Sequence, residues 1–282
     1  MFKRERQFSL TFVLFFLCFF NCVNCEHFVL VHGAFHGAWC WYKVATLLKS
    51  AGHNVTALDM AASGINPRKT QEVLSTSEYH EPLMEFMGSL PPEEKVILVG
   101  HSLGGISVSI AMEKYPQQIF VAVFLTANVV TANLTHLAFL QEAKRRLGST
   151  LVTQYFIFDG EDKPPMLSSL GHKFIASRMY QLSPPEDLTL ALSLLRPLPP
   201  FMSNVALLVN QTAVTKYKNG RVPKVFFITE KDNLISQNFQ EWIIERTGPY
   251  AQVKLIKNSD HMAMLSKPKK LCSELLKITY DI

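Results

Sequence analysis

The sequence predicts a protein of the α/β class, with a mostly parallel sheet, helices on both faces and a helical lid. Three observations carry this prediction. Short apolar segments rich in β-branched residues alternate with segments of helical spacing from residue 26 onward. One long segment, 128–220, interrupts the alternation with helical stretches and clustered prolines. A serine flanked by glycines follows one apolar segment directly, which is typical of a sharp strand-to-helix turn.

The predicted elements follow one another in a regular order. Six strands are predicted at 27–33, 54–60, 96–100, 119–127, 224–229 and 251–256. Helices are predicted at 39–50, 78–90 and 106–115, and within the lid at 137–147, 172–181 and 186–195. No strand is predicted inside the lid. Strands that alternate with helices at this spacing favour a parallel sheet with right-handed crossovers.

The composition fits one folded domain, or at most two small ones. The chain has 282 residues, of which 48% are hydrophobic and 18% charged, so it is too apolar for a disordered chain. The net charge is +5, but residues 3–6 contribute +2 and the rest shows no basic stripe, so we expect no nucleic-acid partner. Three of the five cysteines lie in the first 25 residues, which leaves only Cys40 and Cys272 in the body. We therefore expect no disulfide framework, no metal site and no cofactor.

The N-terminal segment has the three-part pattern of a secretory signal. Basic residues at 3–6 precede an apolar core at 10–20, and small or polar residues follow before Glu26. The core is too short to span a bilayer. We predict that residues 1–25 are a signal peptide, that the mature protein is secreted or enters the secretory pathway, and that it has no stable membrane insertion. The alternative is an uncleaved anchor or a mistaken start codon, and a segment not used as a signal would leave the protein cytoplasmic.

The chemistry centres on the motif Gly100-His101-Ser102-Leu103-Gly104. The serine sits on a turn so sharp that side chains two residues before and after it would collide, which explains the glycines. The helix that follows directs its N-terminal N–H groups at the reacting centre. We therefore predict that Ser102 is a nucleophile, the alternative being a structural turn serine.

A serine hydroxyl needs a base and an acid, which in this kind of fold follow it in the order acid, then histidine. His261 follows the last predicted strand and a short loop, as a base on a loop would, whereas its alternative is a surface histidine. Asp232 follows the preceding strand directly and is the predicted acid. Glu230, two residues nearer the strand, and Asp260, adjacent to His261, are the competing acids.

A serine nucleophile that attacks a carbonyl group also needs two fixed N–H donors for the oxyanion that forms. One is the backbone N–H of Leu103, directly after the nucleophile. The loop after the first strand, residues 32–39, supplies the other, for which we predict the backbone N–H of Ala34. His36 in the same loop either contacts substrate or makes a hydrogen bond that stabilises the loop.

Five stretches of the chain resemble the plant methylesterase family of α/β-hydrolases, which is related to the hydroxynitrile lyases. They are HFVLVHGAFHGAWCWYK, VTALDMAASGINP, VILVGHSLGG, YQLSPPEDLTLA and DHMAMLSKP. The resemblance implies an α/β-hydrolase domain over 26–282 with its lid at about 128–220, and the triad Ser102, Asp232 and His261. It also implies methyl esters of small plant signalling acids as substrates. The chain departs from the family in its N-terminal segment and in the acid loop 230–236, which lacks the usual proline.

The function expected from these residues is a serine carboxylesterase that acts on a small-molecule methyl ester, as a monomer or a homodimer. A hydroxynitrile lyase is disfavoured, because those relatives carry Thr at the position of Gly33 and Lys at that of Met262. A hormone-binding protein without activity and an inactive paralogue are the remaining alternatives.

The lid supplies seven aromatic residues, of which we expect two or three to line the site: Phe139, Tyr155, Phe156, Phe158, Phe174, Tyr180 and Phe201. An apolar lid favours a neutral aromatic or alicyclic acyl group. Among the methyl esters that the resemblance implies, we expect hydrolysis of methyl indole-3-acetate, methyl jasmonate or methyl salicylate, and the apolar lid predicts little action on triglycerides or peptides.

Overall fold

A computed structural model describes residues 25–148, 154–158, 165–199 and 205–282 of the chain. Its strands are β1 (His27–Val31), β2 (Asn54–Leu58), β3 (Val96–His101), β4 (Ile119–Leu125), β5 (Gln154–Phe158), β6 (Pro165–Leu170), β7 (Lys224–Thr229) and β8 (Gln252–Ile256). Its α-helices are α1 (Tyr42–Ser50), α2 (Thr76–Ser89), α3 (Gly104–Lys114), α4 (His136–Leu147), α5 (His172–Arg178), α6 (Pro185–Leu194), α7 (Val205–Gln211), α8 (Gln237–Thr247), α9 (Ala263–Ser266) and α10 (Pro268–Asp281). Short 3₁₀ helices cover Ala38–Trp41, Thr70–Glu72 and Asn219–Arg221.

Six strands form one sheet in the order β2-β1-β3-β4-β7-β8, and every neighbouring pair is parallel. The chain runs from β1 outward to β2, returns to β3 on the other side of β1, and then runs outward in the opposite direction through β4, β7 and β8. Because all six strands run the same way, their carboxyl ends meet at one edge, where open α/β sheets bind ligands. The predicted α/β class and parallel sheet are confirmed.

The sheet is buried on both faces, which explains why its strands are continuous apolar runs. In β1, Phe28 and Leu30 point to the face covered by α1 and α10, whereas Val29 and Val31 point to the face covered by α2, α3 and α8. All four side chains are fully buried. The sheet is therefore a rigid support for the residues that follow its strands.

The lid differs from its prediction in one respect. The expected helices are present as α4, α5 and α6, but β5 and β6 form an antiparallel pair, so the expectation of a lid without strands was wrong. The run Tyr155–Phe158 is rich in aromatic and β-branched residues, which favour strands. Pro165 pairs at the first position of β6, where a proline is tolerated, and the neighbouring prolines had pointed to a loop.

The predicted signal peptide, apart from an exposed Cys25, lies outside the described residues. Within the described ranges, no helix is both long and apolar enough to cross a bilayer.

Candidate active site

Ser102 lies at the turn between β3 and α3. Its backbone φ is 51°, a value that residues other than glycine rarely adopt. A Cβ atom at Gly100 would lie 2.6 Å from Val108 Cγ2, and one at Gly104 would lie 2.6 Å from the carbonyl oxygen of His32. Only glycines therefore allow α3 to turn back this closely against β3 and β1. The predicted strand–turn–helix context of Ser102 is present.

Backbone strain is concentrated around this edge of the sheet. Phe35, Ser102 and Thr126 all have positive φ values, of 68°, 51° and 40°, and they follow β1, β3 and β4. Residues held in such conformations cost about 1–3 kcal/mol each and cluster at functional sites. These three strained residues therefore indicate that the functional site lies at the carboxyl edge of β1, β3 and β4.

Asp232 and His261 form a buried pair beside the turn. His261 Nδ1 lies 2.8 Å from Asp232 Oδ2, and both side chains are excluded from solvent. Because a carboxylate only accepts, Nδ1 carries the hydrogen and Nε2 keeps its lone pair. Among the described residues Nε2 has no hydrogen-bond partner, so this buried nitrogen is free to accept a proton.

The Asp232 carboxylate receives four further hydrogen bonds. The hydroxyls of Thr126 and Thr229 donate to Oδ2 at 2.8 and 2.9 Å. The backbone N–H groups of Leu234 and Ile235 donate to Oδ1, both at 2.8 Å. Burial alone would raise the pKa of this carboxyl, but the His261 ring and the hydrogen bonds outweigh it and hold the pKa below its usual value. Asp232 is therefore an ionised, fully bonded anchor.

His101 connects the Ser102 turn to His261. Its Nε2–H donates to the His261 carbonyl oxygen at 2.9 Å, and the two rings lie 4.7 Å apart at their centroids. Burial lowers the pKa of His101 well below its ordinary value, so its ring stays neutral. Ser102 Oγ and His261 Nε2 do not form a hydrogen bond in the structure, and such catalytic bonds often tighten only when substrate binds.

The two amides expected to bind the oxyanion are both unoccupied by protein acceptors. Within the described part of the chain, neither the N–H of Ala34 nor that of Leu103 donates a hydrogen bond. Gly33 lies directly against the turn, since a Cβ atom there would be 2.9 Å from Ser102 Cβ. The loop that carries Ala34 is therefore in contact with Ser102.

The competing acids have other partners. Glu230 accepts a hydrogen bond from the Asn258 amide at 2.8 Å. Asp260 is fully buried, and its carboxylate accepts from the Leu182 amide at 2.9 Å and the Ser183 hydroxyl at 2.8 Å, both in the lid. Neither carboxylate bonds the ring of the neighbouring histidine.

The lid packs against the catalytic edge through named contacts. Tyr180 and His36 bond each other at 2.7 Å, so His36 makes a loop hydrogen bond and a lid contact. The Arg196 guanidinium donates to the carbonyl oxygens of three residues in the loop after β2. Of the predicted lid aromatics, Phe139, Phe174 and Tyr180 are buried. The side chains of the other four, Tyr155, Phe156, Phe158 and Phe201, lie outside the described ones.

Sequence reasoning missed the supports of the acid. Thr126 directly follows β4 and Thr229 ends the neighbouring β7, and Gln240 in α8 bonds the backbone of Thr229 and of Ile235. These bonds hold the acid loop in place without the proline that the family usually has there. The available signal was a polar residue at the end of each buried strand.

In the described ranges, no three His, Cys, Asp or Glu side chains are grouped as a metal site.

Comparison with known proteins assigns the chain to a family. The alpha/beta hydrolase family model matches residues 28–274. Methyl jasmonate esterase 1 of Vitis vinifera is 51% identical over 90% of this chain and 96% of its own length. Salicylic acid-binding protein 2 of Nicotiana tabacum is 45% identical over 90% of this chain and 97% of its own.

Solved structures agree with this placement. The crystal structure of tomato Methylketone Synthase I complexed with 2-tridecanone superimposes with a TM-score of 0.85 at 42% identity, over 91% of this chain and 98% of that one. The present chain therefore belongs to the alpha/beta hydrolase family and, within it, is a carboxylic ester hydrolase of the plant methylesterase group.

Proposed function

We propose that the protein hydrolyses methyl esters of small plant signalling acids through an acyl-enzyme on Ser102. The observation that carries the proposal is the buried Asp232–His261 pair, whose Nε2 is free and whose imidazole ring packs against His101, the neighbour of the strained Ser102. Catalysis by a serine needs a base held in one tautomer, and the carboxylate supplies that constraint.

In the first half of the reaction, Ser102 Oγ attacks the ester carbonyl carbon while His261 Nε2 takes the hydroxyl proton. The carbonyl oxygen becomes an oxyanion, which the N–H groups of Ala34 and Leu103 stabilise. The bond from carbon to the methoxy oxygen then breaks, and His261 returns its proton to that oxygen. Methanol leaves, and the acyl group remains on Ser102.

In the second half, water gives a proton to His261 Nε2 and its oxygen adds to the acyl carbon. The second tetrahedral intermediate collapses, the bond to Ser102 Oγ breaks, and His261 protonates that oxygen. The free acid leaves and Ser102 is restored. Neither half of the reaction draws on a cofactor.

The substrate class rests on the lid and on the relatives. The apolar and aromatic composition of the lid favours an apolar acyl group. The Arg196 guanidinium is engaged by three backbone carbonyls, so it does not select a charged acyl group. The named relatives include a methyl jasmonate esterase and a salicylic acid-binding protein, which supports methyl jasmonate and methyl salicylate as substrates. Methyl indole-3-acetate is proposed beside them from the sequence resemblance alone.

The test is methanol release from these three esters, with a long-chain acyl ester and the Ser102→Ala variant as controls. We expect turnover of at least one of the three by the wild-type protein and none by the variant. Turnover of the long-chain ester alone would reject the hormone-ester proposal and retain the esterase. Tight binding of the free acids without turnover of any ester would instead favour a hormone-binding protein.

A hydroxynitrile lyase is a weaker candidate. Gly33 has no hydroxyl, and the fully buried Met262 has no charge, so neither can handle cyanohydrin and cyanide as the Thr and Lys of the lyases do. Release of cyanide from mandelonitrile above the rate of the Ser102→Ala variant would contradict this assignment.

We also propose that residues 1–25 direct the protein into the secretory pathway. The support is the basic opening followed by the apolar core at 10–20. N-terminal sequencing of the protein purified from plant cells should begin near Glu26. A sequence that begins at Met1, or cytosolic fluorescence of a C-terminal fusion, would overturn this proposal.

A further inference from the structure

Two buried histidines hold the loop that carries the Ala34 amide. His32 Nδ1 lies 2.7 Å from the carbonyl oxygen of Gly33, and His36 Nδ1 lies 2.7 Å from the carbonyl oxygen of Ala34. The peptide groups on both sides of the Ala34 α-carbon are therefore each fixed by an imidazole. Neither side chain has a place in the proton transfers described above.

The His32 bond acts on the same peptide unit as the oxyanion donor. In a planar trans peptide, the carbonyl of Gly33 and the N–H of Ala34 point in opposite directions. A bond that draws the carbonyl toward the His32 ring therefore aims the N–H to the other side. Gly33 itself lies against Ser102, so the orientation of this one peptide decides whether the N–H reaches the reacting carbonyl.

The tautomer of His32 is set by a second contact. The backbone N–H of Met60, just after β2, donates to His32 Nε2 at 3.1 Å. Nε2 must then be unprotonated, which leaves the hydrogen on Nδ1 for the Gly33 carbonyl. Burial lowers the pKa of His32, which keeps the ring neutral. The side chain is thus a bridge from the end of β2 to the loop.

His36 connects the same loop to the lid. Its Nδ1–H donates to the Ala34 carbonyl, so its Nε2 accepts the Tyr180 hydroxyl at 2.7 Å. The two rings are also stacked, with centroids 5.9 Å apart. Burial lowers the pKa of His36 to about 3 and raises that of Tyr180 well above its usual value, so both groups stay neutral. The contact exists only while this part of the lid is docked.

We propose that His32 and His36 are positioning residues of the oxyanion hole, and that Tyr180 makes the His36 bond depend on a docked lid. The inference rests on the proposed ester hydrolysis, since it concerns how the Ala34 amide is aimed at the developing oxyanion. It assigns to the two histidines a role in the transition state and none in binding the ground-state ester.

Two substitutions at His32 test its two hydrogen bonds one at a time, the bond to the Gly33 carbonyl and the bond from the Met60 amide. His32→Asn keeps a donor where Nδ1 stands and so retains the bond to Gly33, whereas His32→Gln keeps an acceptor near Nε2 and loses that bond. We expect kcat to fall about 100-fold in His32→Ala and His32→Gln with little change in KM, because a displaced catalytic group costs about that much. We expect His32→Asn to recover most of the loss. Tyr180→Phe should lower kcat about fivefold, the effect of one neutral hydrogen bond.

The assay uses p-nitrophenyl acetate as a general ester, together with binding of a trifluoromethyl ketone, which adds to Ser102 and places an oxyanion in the hole. Affinity for the ketone should fall with kcat/KM across the His32 and Tyr180 variants. His80→Asn is the matched control, because His80 is equally buried and bonds the Ser107 hydroxyl at 2.6 Å. It should lose thermal stability but keep kcat within about twofold of wild type.

An unchanged kcat and ketone affinity in folded His32→Gln would overturn the inference, as would equal losses in His32→Asn and His32→Gln. If the wild-type protein cleaves p-nitrophenyl acetate but none of the methyl esters, the proposed substrate class fails and the inference is still judged on the ketone. A wild-type protein that neither cleaves p-nitrophenyl acetate nor forms the ketone adduct would refute both.

Discussion

Substitution of Asp232 by Asn tests the acid most sharply, because five donors converge on that carboxylate. An amide has one acceptor oxygen. If that oxygen faces His261, the NH₂ group faces the N–H groups of Leu234 and Ile235. If the amide is flipped, the NH₂ group faces His261 Nδ1 and the hydroxyls of Thr126 and Thr229.

Both orientations of the amide are costly. In the first, the buried N–H of Ile235 and the partly buried N–H of Leu234 lose their acceptor, at about 1–3 kcal/mol for the buried one. In the second, His261 Nδ1 must accept a hydrogen bond, which moves the ring hydrogen to Nε2 and prevents that nitrogen from taking a proton from Ser102. We expect kcat to fall about 10³- to 10⁴-fold, which corresponds to about 4–5.5 kcal/mol of transition-state stabilisation.

The assay is kcat and KM on a methyl ester, with urea unfolding to show that each variant is folded. Asp260→Asn is the matched control, because Asp260 is a buried carboxylate next to His261 that bonds the lid and not the ring. It should lose stability yet retain kcat within about tenfold. A folded Asp232→Asn variant with near wild-type kcat would refute the assignment, and so would an equal loss of kcat in Glu230→Gln.

Three further predictions concern pH, packing and the loop before the turn. Burial lowers the pKa of His36 and His80 to about 3 and that of His136 to about 4, so below about pH 6.5 the unfolded chain binds more protons than the folded one. As the pH is lowered from 6.5 to 4.5, the free energy of unfolding should therefore fall, by up to about 1.4 kcal/mol per pH unit for each of these histidines, and a flat urea-unfolding profile would contradict this. His136→Leu should be neutral or stabilising at pH 5, because both ring nitrogens are buried without a described partner; a lower melting temperature there would show a missed contact. Gly33→Ala should lower kcat at least about tenfold, since its Cβ would lie 2.9 Å from Ser102 Cβ, and unchanged kinetics would mean that the loop yields freely.

The sheet and the Ser102 turn were predictable because their signals are local. Each central strand is a continuous apolar run, which only a strand buried on both faces requires. The two glycines around Ser102 form a recognisable local motif in the sequence, although only the contacts of Gly100 lie within the turn and α3, whereas Gly104 lies against the end of β1. The order of acid and base along the chain then restricted the choice to residues that follow β7 and β8.

The supports of the site were not predictable, because they join residues far apart in sequence. Thr126 and Asp232 are 106 positions apart, and His36 and Tyr180 are 144 apart. Nothing in the local pattern indicates which threonine or histidine such a contact will use. The β5–β6 pair was missed for a different reason: prolines at its border outweighed the strand propensity of the aromatic run 155–158.

The most direct test of the central claim is the site and rate of labelling by a small fluorophosphonate, followed by mass spectrometry of the digested protein. An activated serine displaces fluoride and retains the phosphonyl group, so the adduct reports both nucleophile and base. The account predicts one adduct, on the peptide that contains Ser102, with labelling that is at least about 100-fold slower in His261→Ala and in Asp232→Asn. An adduct on another residue, or labelling of Asp232→Asn at the wild-type rate, would contradict it.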